Sequence, residues 1–221
     1  MKKLCIFDLD GTLIDSLEDL AEAMNHAIAR QGFAVHSTDR YRMMVGSGLS
    51  VLTDRAAGAP DSRYTDAVKQ EIVADFNQYY TRHCLDHTKP YPGIPALLEE
   101  LNRRSIAFAV NSNKPDAFSN RIVSALFPKA PFSFVWGKRE GCERKPSPDG
   151  ALGIMQGLGF RPEETVYIGD SDVDVYTAAN AGISFCGVRW GFRSPQELIA
   201  AGAVHLAESP EELLQLILTV D

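Results

Sequence analysis

Short apolar runs alternate with stretches of helical periodicity along most of this chain, and the alternation is interrupted once, between residues 16 and 87. The apolar run that ends at Phe7 is bounded by Asp and Gly, the signature of a short buried strand. Ser16 then stands where a helix cap belongs, with Asp19 at the third helical position, and Leu17, Leu20, Ala21, Met24 and Ile28 recur at helical spacing before Gly32. Helical patterns follow over Thr38–Val45, Leu49–Ala57 and Ser62 to about Cys84, the last with Tyr64, Val68, Ile72, Phe76 and Tyr79 or Tyr80 along one face. No strand pattern falls in this stretch, which predicts a small helical bundle over 16–87.

From Tyr91-Pro92-Gly93 onward helix and strand alternate. The predicted elements are helix Ile94–Arg103, strand Ile106–Val110, helix Pro115–Leu126, strand Phe132–Trp136, helix Pro148–Leu158 and strand Thr165–Ile168. Helix Val173–Ala181, strand Ile183–Val188, helix Pro195–Ala200, a short strand near Val204-His205-Leu206 and a helix from Pro210 complete the set. Such alternation predicts an α/β fold, a doubly wound parallel sheet (a Rossmann-like core) with helices on both faces. Residues 1–15 and 88–221 form this core, and 16–87 form an inserted helical-bundle cap above its carboxyl edge, hinged near Asp15-Ser16 and His87–Tyr91. The alternative for the insertion is that it stabilises the sheet or makes a dimer contact.

Composition narrows the class. At 221 residues, 45% of them hydrophobic, the chain is long enough for one domain plus an insertion. A net charge of −7 opposes general binding to nucleic acid or anionic membrane. No apolar run reaches membrane-spanning length and the N-terminus reads as a strand and not a signal peptide, so a cytoplasmic location is expected. The four cysteines, Cys5, Cys84, Cys142 and Cys186, are scattered and read as reduced thiols, with Cys5 and Cys186 in the core. His83 and His87 share the spacing of two metal ligands on a helix, but no third ligand is identifiable. The oligomeric state is not legible.

The chemistry gathers at strand ends. Asp8 and Asp10 follow the first strand beside Gly11, and residues two apart on a strand point to one side, so the two carboxylates are expected to converge. An unperturbed Asp8 is ionised at pH 7 and already nucleophilic. Asp170, Asp172 and Asp174 form a second cluster after Ile168. Parallel sheets place ligands outside the carboxyl ends of their strands, so Asp8, Asp10, Asp170 and Asp174 meet if both strands share one sheet. Converging carboxylates need a cation, and a hard divalent ion such as Mg²⁺ suits oxygen donors. The plainer reading of each cluster is an acidic turn or a helix N-terminal acid.

Four short motifs in order give the chain its resemblance. Asp8-Leu9-Asp10-Gly11-Thr12, the strand ending in Asn111-Ser112-Asn113-Lys114-Pro115, Arg144-Lys145-Pro146-Ser147-Pro148, and Gly169-Asp170 followed by Asp174 together resemble the phosphatases of the haloacid dehalogenase-like superfamily. Val45–Ala57, Phe76–Tyr80, Tyr91-Pro92-Gly93 and Gly187–Gly191 resemble its phosphoglycolate phosphatase branch. The resemblance implies a Mg²⁺-dependent phosphate monoester hydrolase in which Asp8 forms an aspartyl-phosphate while Asp10 protonates the leaving alkoxide and later deprotonates water. Asp10 then needs a raised pKa, for which a neighbouring carboxylate and partial burial are expected. The metal set implied is Asp8, the main-chain carbonyl of Asp10, and Asp170, with Asp174 behind it. Ser112 and Asn113 are expected to cradle phosphate, or simply to cap a helix. Lys145 is expected to balance the charge, and Lys114 to face solvent or else to add to the positive field.

The small-molecule substrate implied is 2-phosphoglycolate, with specificity in the insertion: Gly46 and Ser47 in the Gly46-Ser47-Gly48 loop, and Arg55 or Arg42 for the carboxylate. Sugar phosphates, nucleotides or pyrophosphate are alternative substrates. A sugar phosphomutase uses the same Asp8 and Asp10, and a catalytically silent binding module is the reading outside enzymology. A phosphonate hydrolase needs a cap lysine, and Lys69 is the one available.

Overall fold

A computed structural model describes residues 2–58 and 63–220. The chain forms two compact units, Met1–Asp15 with Pro90–Asp221, and Ser16–Lys89. In the first unit the strands β1 (Leu4–Phe7), β4 (Ala107–Pro115), β5 (Phe134–Lys138), β6 (Thr165–Gly169), β7 (Ser184–Val188) and β8 (His205–Ala207) make one parallel sheet in the order β5-β4-β1-β6-β7-β8. The short strands β2 (Ile14–Asp15) and β3 (Lys89–Pro90) form a separate two-stranded sheet.

β1 lies inside the sheet, and all four of its residues are fully buried, as expected for a strand covered on both faces. Leu4 and Ile6 share a core with Ala109 of β4, Tyr167 of β6, and Ala151, Ile154 and Ala178 from α7 (Asp149–Leu158) and α8 (Asp172–Ala181). Strand alternation turns Cys5 and Phe7 to the opposite face. Helices α5 (Ile94–Arg103), α6 (Asp116–Leu126), α9 (Pro195–Ala201) and α10 (Pro210–Thr219) complete this α/β unit. Strand order reverses around β1: the chain builds outward through β4 and β5, then crosses to β6 on the other side of β1. That switch point is where a parallel sheet leaves a crevice at its carboxyl edge.

The predicted elements lie within a few residues of the observed ones, and the departures have local causes. β4 runs past Val110 to Pro115, because β5 stays paired alongside it through a register shift between Asn111 and Pro115. The helix expected over Thr38–Val45 stops at Tyr41 (α2, Thr38–Tyr41), and the chain turns as the Met44 and Val45 amides both bond the Tyr41 carbonyl. The predicted start of the next long helix at Ser62 lies outside the described residues; α4 is observed over Asp66–His83.

The second unit packs α1 (Leu17–Arg30) against α4, with α2 and α3 (Leu49–Ala57) beside them. The buried stripe of α1, Leu20, Ala23, Met24, Ala27 and Ile28, meets that of α4, Ile72, Phe76 and Tyr80, at the spacing of an amphipathic helix pair. Ser16 occupies the cap position of α1 without a side-chain capping bond, and Asp19 does other work. Its fully buried carboxylate accepts from the His87 and Thr88 amides at 2.9 Å each and from Thr88 Oγ1 at 2.5 Å, tying the start of α1 to the end of the unit.

Candidate active site

Asp8 directly follows β1, and its amide donates to the Ile168 carbonyl of β6 at 2.8 Å, so the two acidic strand ends are joined through the backbone. Lys145, on the loop between β5 and α7, reaches in with only 3% of its side chain exposed. Its Nζ lies 2.8 Å from Asp8 Oδ1 and donates to Asp174 Oδ1 at 2.7 Å. Burial opposes the charge on this ammonium, but Asp174, Asp8 and the Tyr167 ring oxygen outweigh it and raise the lysine well above its ordinary pKa.

Both oxygens of Asp174 accept hydrogen bonds. Its Oδ2 accepts from the Ser171 amide at 3.1 Å and the Ser171 hydroxyl at 2.6 Å, a reciprocal cap at the first turn of α8. Asp170 accepts from Thr12 Oγ1 at 3.2 Å and from the Phe192 amide at 2.7 Å. It is walled in by two glycines: a Cβ on Gly11 would lie 2.4 Å from its carboxylate oxygen, and one on Gly191 2.2 Å from its Cβ. Gly11 also holds φ at 88°, a left-handed conformation glycine adopts without strain.

Asp8, Asp170 and Asp174 are all buried and can each bring a carboxylate oxygen within 4.8 Å of the others. Burial first, then the charges of Asp174 and Asp170, push Asp8 well above the usual carboxylate range, with Lys145 pulling the other way. Asp8 in the metal-free protein therefore departs from the freely ionised carboxylate that its isolated pKa predicts. Burial and Asp174 push Asp170 up to about 7, against the Phe192 amide, Arg193 and Lys145. Clustered oxygen donors whose carboxyls are raised by burial and by one another's charge are a donor set that could hold a divalent cation.

Asp10 lies two residues beyond Asp8. Its Oδ2 lies 2.9 Å from the Nζ of Lys114, whose side chain is 4% exposed. The lysine expected to face solvent is thus a buried ammonium on β4. Ser112 Oγ accepts from the Lys114 amide at 3.2 Å, and the Asn113 side chain clamps the Lys145 backbone, donating to its carbonyl at 3.2 Å and accepting from its amide at 2.8 Å. The Asn113 side-chain amide thus holds the Lys145 backbone in place.

A family model described as haloacid dehalogenase-like hydrolase matches residues 5–188, a span that contains Asp8, Asp10, Lys114, Lys145, Asp170 and Asp174. The chain belongs to this family. Among relatives of this haloacid dehalogenase-like hydrolase is the phosphoglycolate phosphatase of Aquifex aeolicus, 32% identical over 190 residues that cover 86% of each chain. The phosphoglycolate phosphatase of Vibrio parahaemolyticus is 32% identical over 221 residues, covering 97% of this chain and 96% of that one. A crystal structure provisionally assigned as a phosphoglycolate phosphatase, from Lactobacillus delbrueckii subsp. bulgaricus, superposes with a TM-score of 0.92 at 34% identity, over 98% of this chain and 99% of that one. This member of the haloacid dehalogenase-like hydrolases is a phosphatase.

Of the insertion residues singled out in the sequence, Gly46 and Gly48 take φ of 109° and 87°, so Gly46-Ser47-Gly48 makes a turn that only glycines at its ends form easily. Arg55 donates to the carbonyls of Met43 and Met44, at 3.3 and 2.8 Å, bracing the turn that follows α2. Arg42 lies 3.7 Å from Asp39 on the surface, and Lys69 pairs with Asp54 at 2.6 Å. Thr12 and the Phe192 amide are site groups that the sequence did not single out, and Lys114 is one it placed mainly in solvent. Thr12 sits within the first motif, and Phe192 follows the Gly187–Gly191 run, but only the fold brings them to Asp170.

Among the described residues no helix is long and apolar enough to cross a membrane. Cys5, Cys84 and Cys186 are buried, and burial pushes the Cys186 thiol up to about 12, so it is a core residue and not a reactive one.

Proposed function

We propose that this phosphatase is a Mg²⁺-dependent hydrolase of phosphate monoesters that works through an aspartyl-phosphate on Asp8 and takes 2-phosphoglycolate as its substrate. The observation that carries the mechanism is the buried Asp8–Lys145–Asp174 array beside Asp170 at the switch point of the sheet. Four carboxylates share this place with two buried ammoniums, and the surplus negative charge and oxygen-only donor set fit Mg²⁺. Asp8, Asp170 and the main-chain carbonyl of Asp10 would hold it, while Asp174, engaged by Lys145 and Ser171, supports the set from behind. Bound there, the ion neutralises charge on the nucleophile and on the phosphoryl oxygens.

The chain's own residues account for the rest. An Asp8 carboxylate oxygen bonds to phosphorus as the ester oxygen departs, and Asp10 gives that oxygen a proton. Asp10 then takes a proton from the water that attacks the aspartyl-phosphate, releasing inorganic phosphate and restoring Asp8. Lys145 opposes the negative charge of the transferring group, and the Ser112 hydroxyl and the Asn113 N–H offer donors to its oxygens. The helical unit, inserted between β2 and β3, is assigned as a cap that excludes water, with the Gly46-Ser47-Gly48 turn and Arg55 as its specificity elements. The substrate rests on the two relatives named phosphoglycolate phosphatase that match most of the chain.

Phosphate release from 2-phosphoglycolate, measured with Mg²⁺ beside sugar phosphates, nucleotides and pyrophosphate, tests the proposal. A strong preference for 2-phosphoglycolate is the expected result. Equal or faster turnover of another ester replaces the substrate but keeps the chemistry, and failure to turn over any of them overturns both.

A further inference from the structure

Lys114 is the site group that the mechanism above leaves without a task. A buried ammonium is costly unless it is paired and its donors are used, so a chain that keeps one in its core gains something from the charge. Its backbone is fixed from two sides: the Lys114 amide donates to Ser112 Oγ at 3.2 Å, and its carbonyl accepts from Ser119 Oγ at 3.3 Å. The strand beside it allows no slack, because a Cβ on Gly137 of β5 would lie 2.8 Å from the Lys114 carbonyl oxygen. The side chain therefore leaves β4 from a rigid base and places Nζ 2.9 Å from Asp10 Oδ2.

That position has a chemical meaning once Asp10 is the group that protonates the departing oxygen, a reading on which this inference rests. The leaving-group oxygen must come within hydrogen-bond reach of the Asp10 carboxyl. Lys114 Nζ is one hydrogen bond from that same carboxyl, so it borders the space occupied by the leaving group and not by the phosphoryl group, which Lys145 faces. In the phosphate ester of an α-hydroxy acid, the carboxylate carbon is two bonds from the ester oxygen. A carboxylate there meets Lys114 while the ester oxygen stays at Asp10. We infer that Lys114 is a specificity-determining residue that recognises an anionic group on the carbon next to the scissile ester oxygen, so that the core itself, and not only the inserted unit, selects α-carboxylate monoesters.

The test is a selectivity ratio read within each protein: kcat/KM for 2-phosphoglycolate divided by kcat/KM for 2-phosphoglycolamide, whose leaving group has the same size and no charge. Because both substrates need Asp10, any effect of a substitution on Asp10 or on the amount of folded protein cancels in the ratio. The wild-type ratio is expected well above one, and Lys114→Met is expected to lower it at least about tenfold, chiefly through KM for the acid, with Lys114→Arg restoring part of the difference. A wild-type ratio near one overturns the carboxylate substrate itself, and this inference with it. A high wild-type ratio that Lys114→Met leaves unchanged overturns the inference alone and makes Lys114 a positioning residue for Asp10.

Discussion

Lys145 donates to two buried carboxylates at once, and its removal leaves both without their ammonium. Lys145→Met is expected to be inactive and to lose about 3 kcal/mol of stability at pH 8 in metal-free buffer, measured by urea denaturation. The loss shrinks at pH 5, where Asp8 and its neighbours take up protons instead. Asp8→Asn behaves differently, since it removes one charge from a crowded cluster. Phosphate release falls at least about a thousandfold, while the metal-free melting temperature holds or rises; retained turnover would remove Asp8 as nucleophile. The residues that carry these predictions were legible in the sequence because each stands in a short motif at a strand end. Lys114 was not, because a lysine before Pro115 at the start of a helix reads as a solvated side chain. Only the extension of β4 to Pro115, which depends on pairing with β5, turns it inward.

At the scale of elements, the alternation from Ile94 onward was readable because each buried strand is a near-continuous apolar run and each helix has its own stripe. α3 and α5 begin and end where periodicity puts them. Where the reading slipped, a long-range contact had replaced a local rule. Asp19 has the position of a capping acid, yet its carboxylate serves the His87 and Thr88 amides at the far end of the unit. Asp19→Ala strands two backbone donors and the Thr88 hydroxyl. It is expected to destabilise the helical unit by about 2–4 kcal/mol, seen as faster hydrogen exchange across α1 and α4. Hydrogen exchange in β1 and β6 is expected to change much less.

For the molecule as a whole, the site sets the pH dependence of stability. Asp170 has a native pKa of about 7, above its unfolded value, so the native state binds the extra proton between about pH 4 and pH 7. The stability this proton contributes is full below the unfolded value and is lost as pH rises through about 7; Asp8, raised in the same direction, adds to the trend. Mg²⁺ competes with those protons, so its stabilisation is expected to be largest above pH 7 and to fade in acid. Melting curves from pH 5 to 8.5 with and without Mg²⁺ check both signs. The order of the strands carries a last consequence, for the growing chain. Asp8 is made early, and its neighbour across the sheet, Asp170, some 160 residues later. Until β6 docks beside β1, Asp8 is spared the charges of Asp170 and Asp174. The chain thus postpones its most unfavourable encounter to the final strands of synthesis, when most of the apolar surface that holds those charges together is already in place.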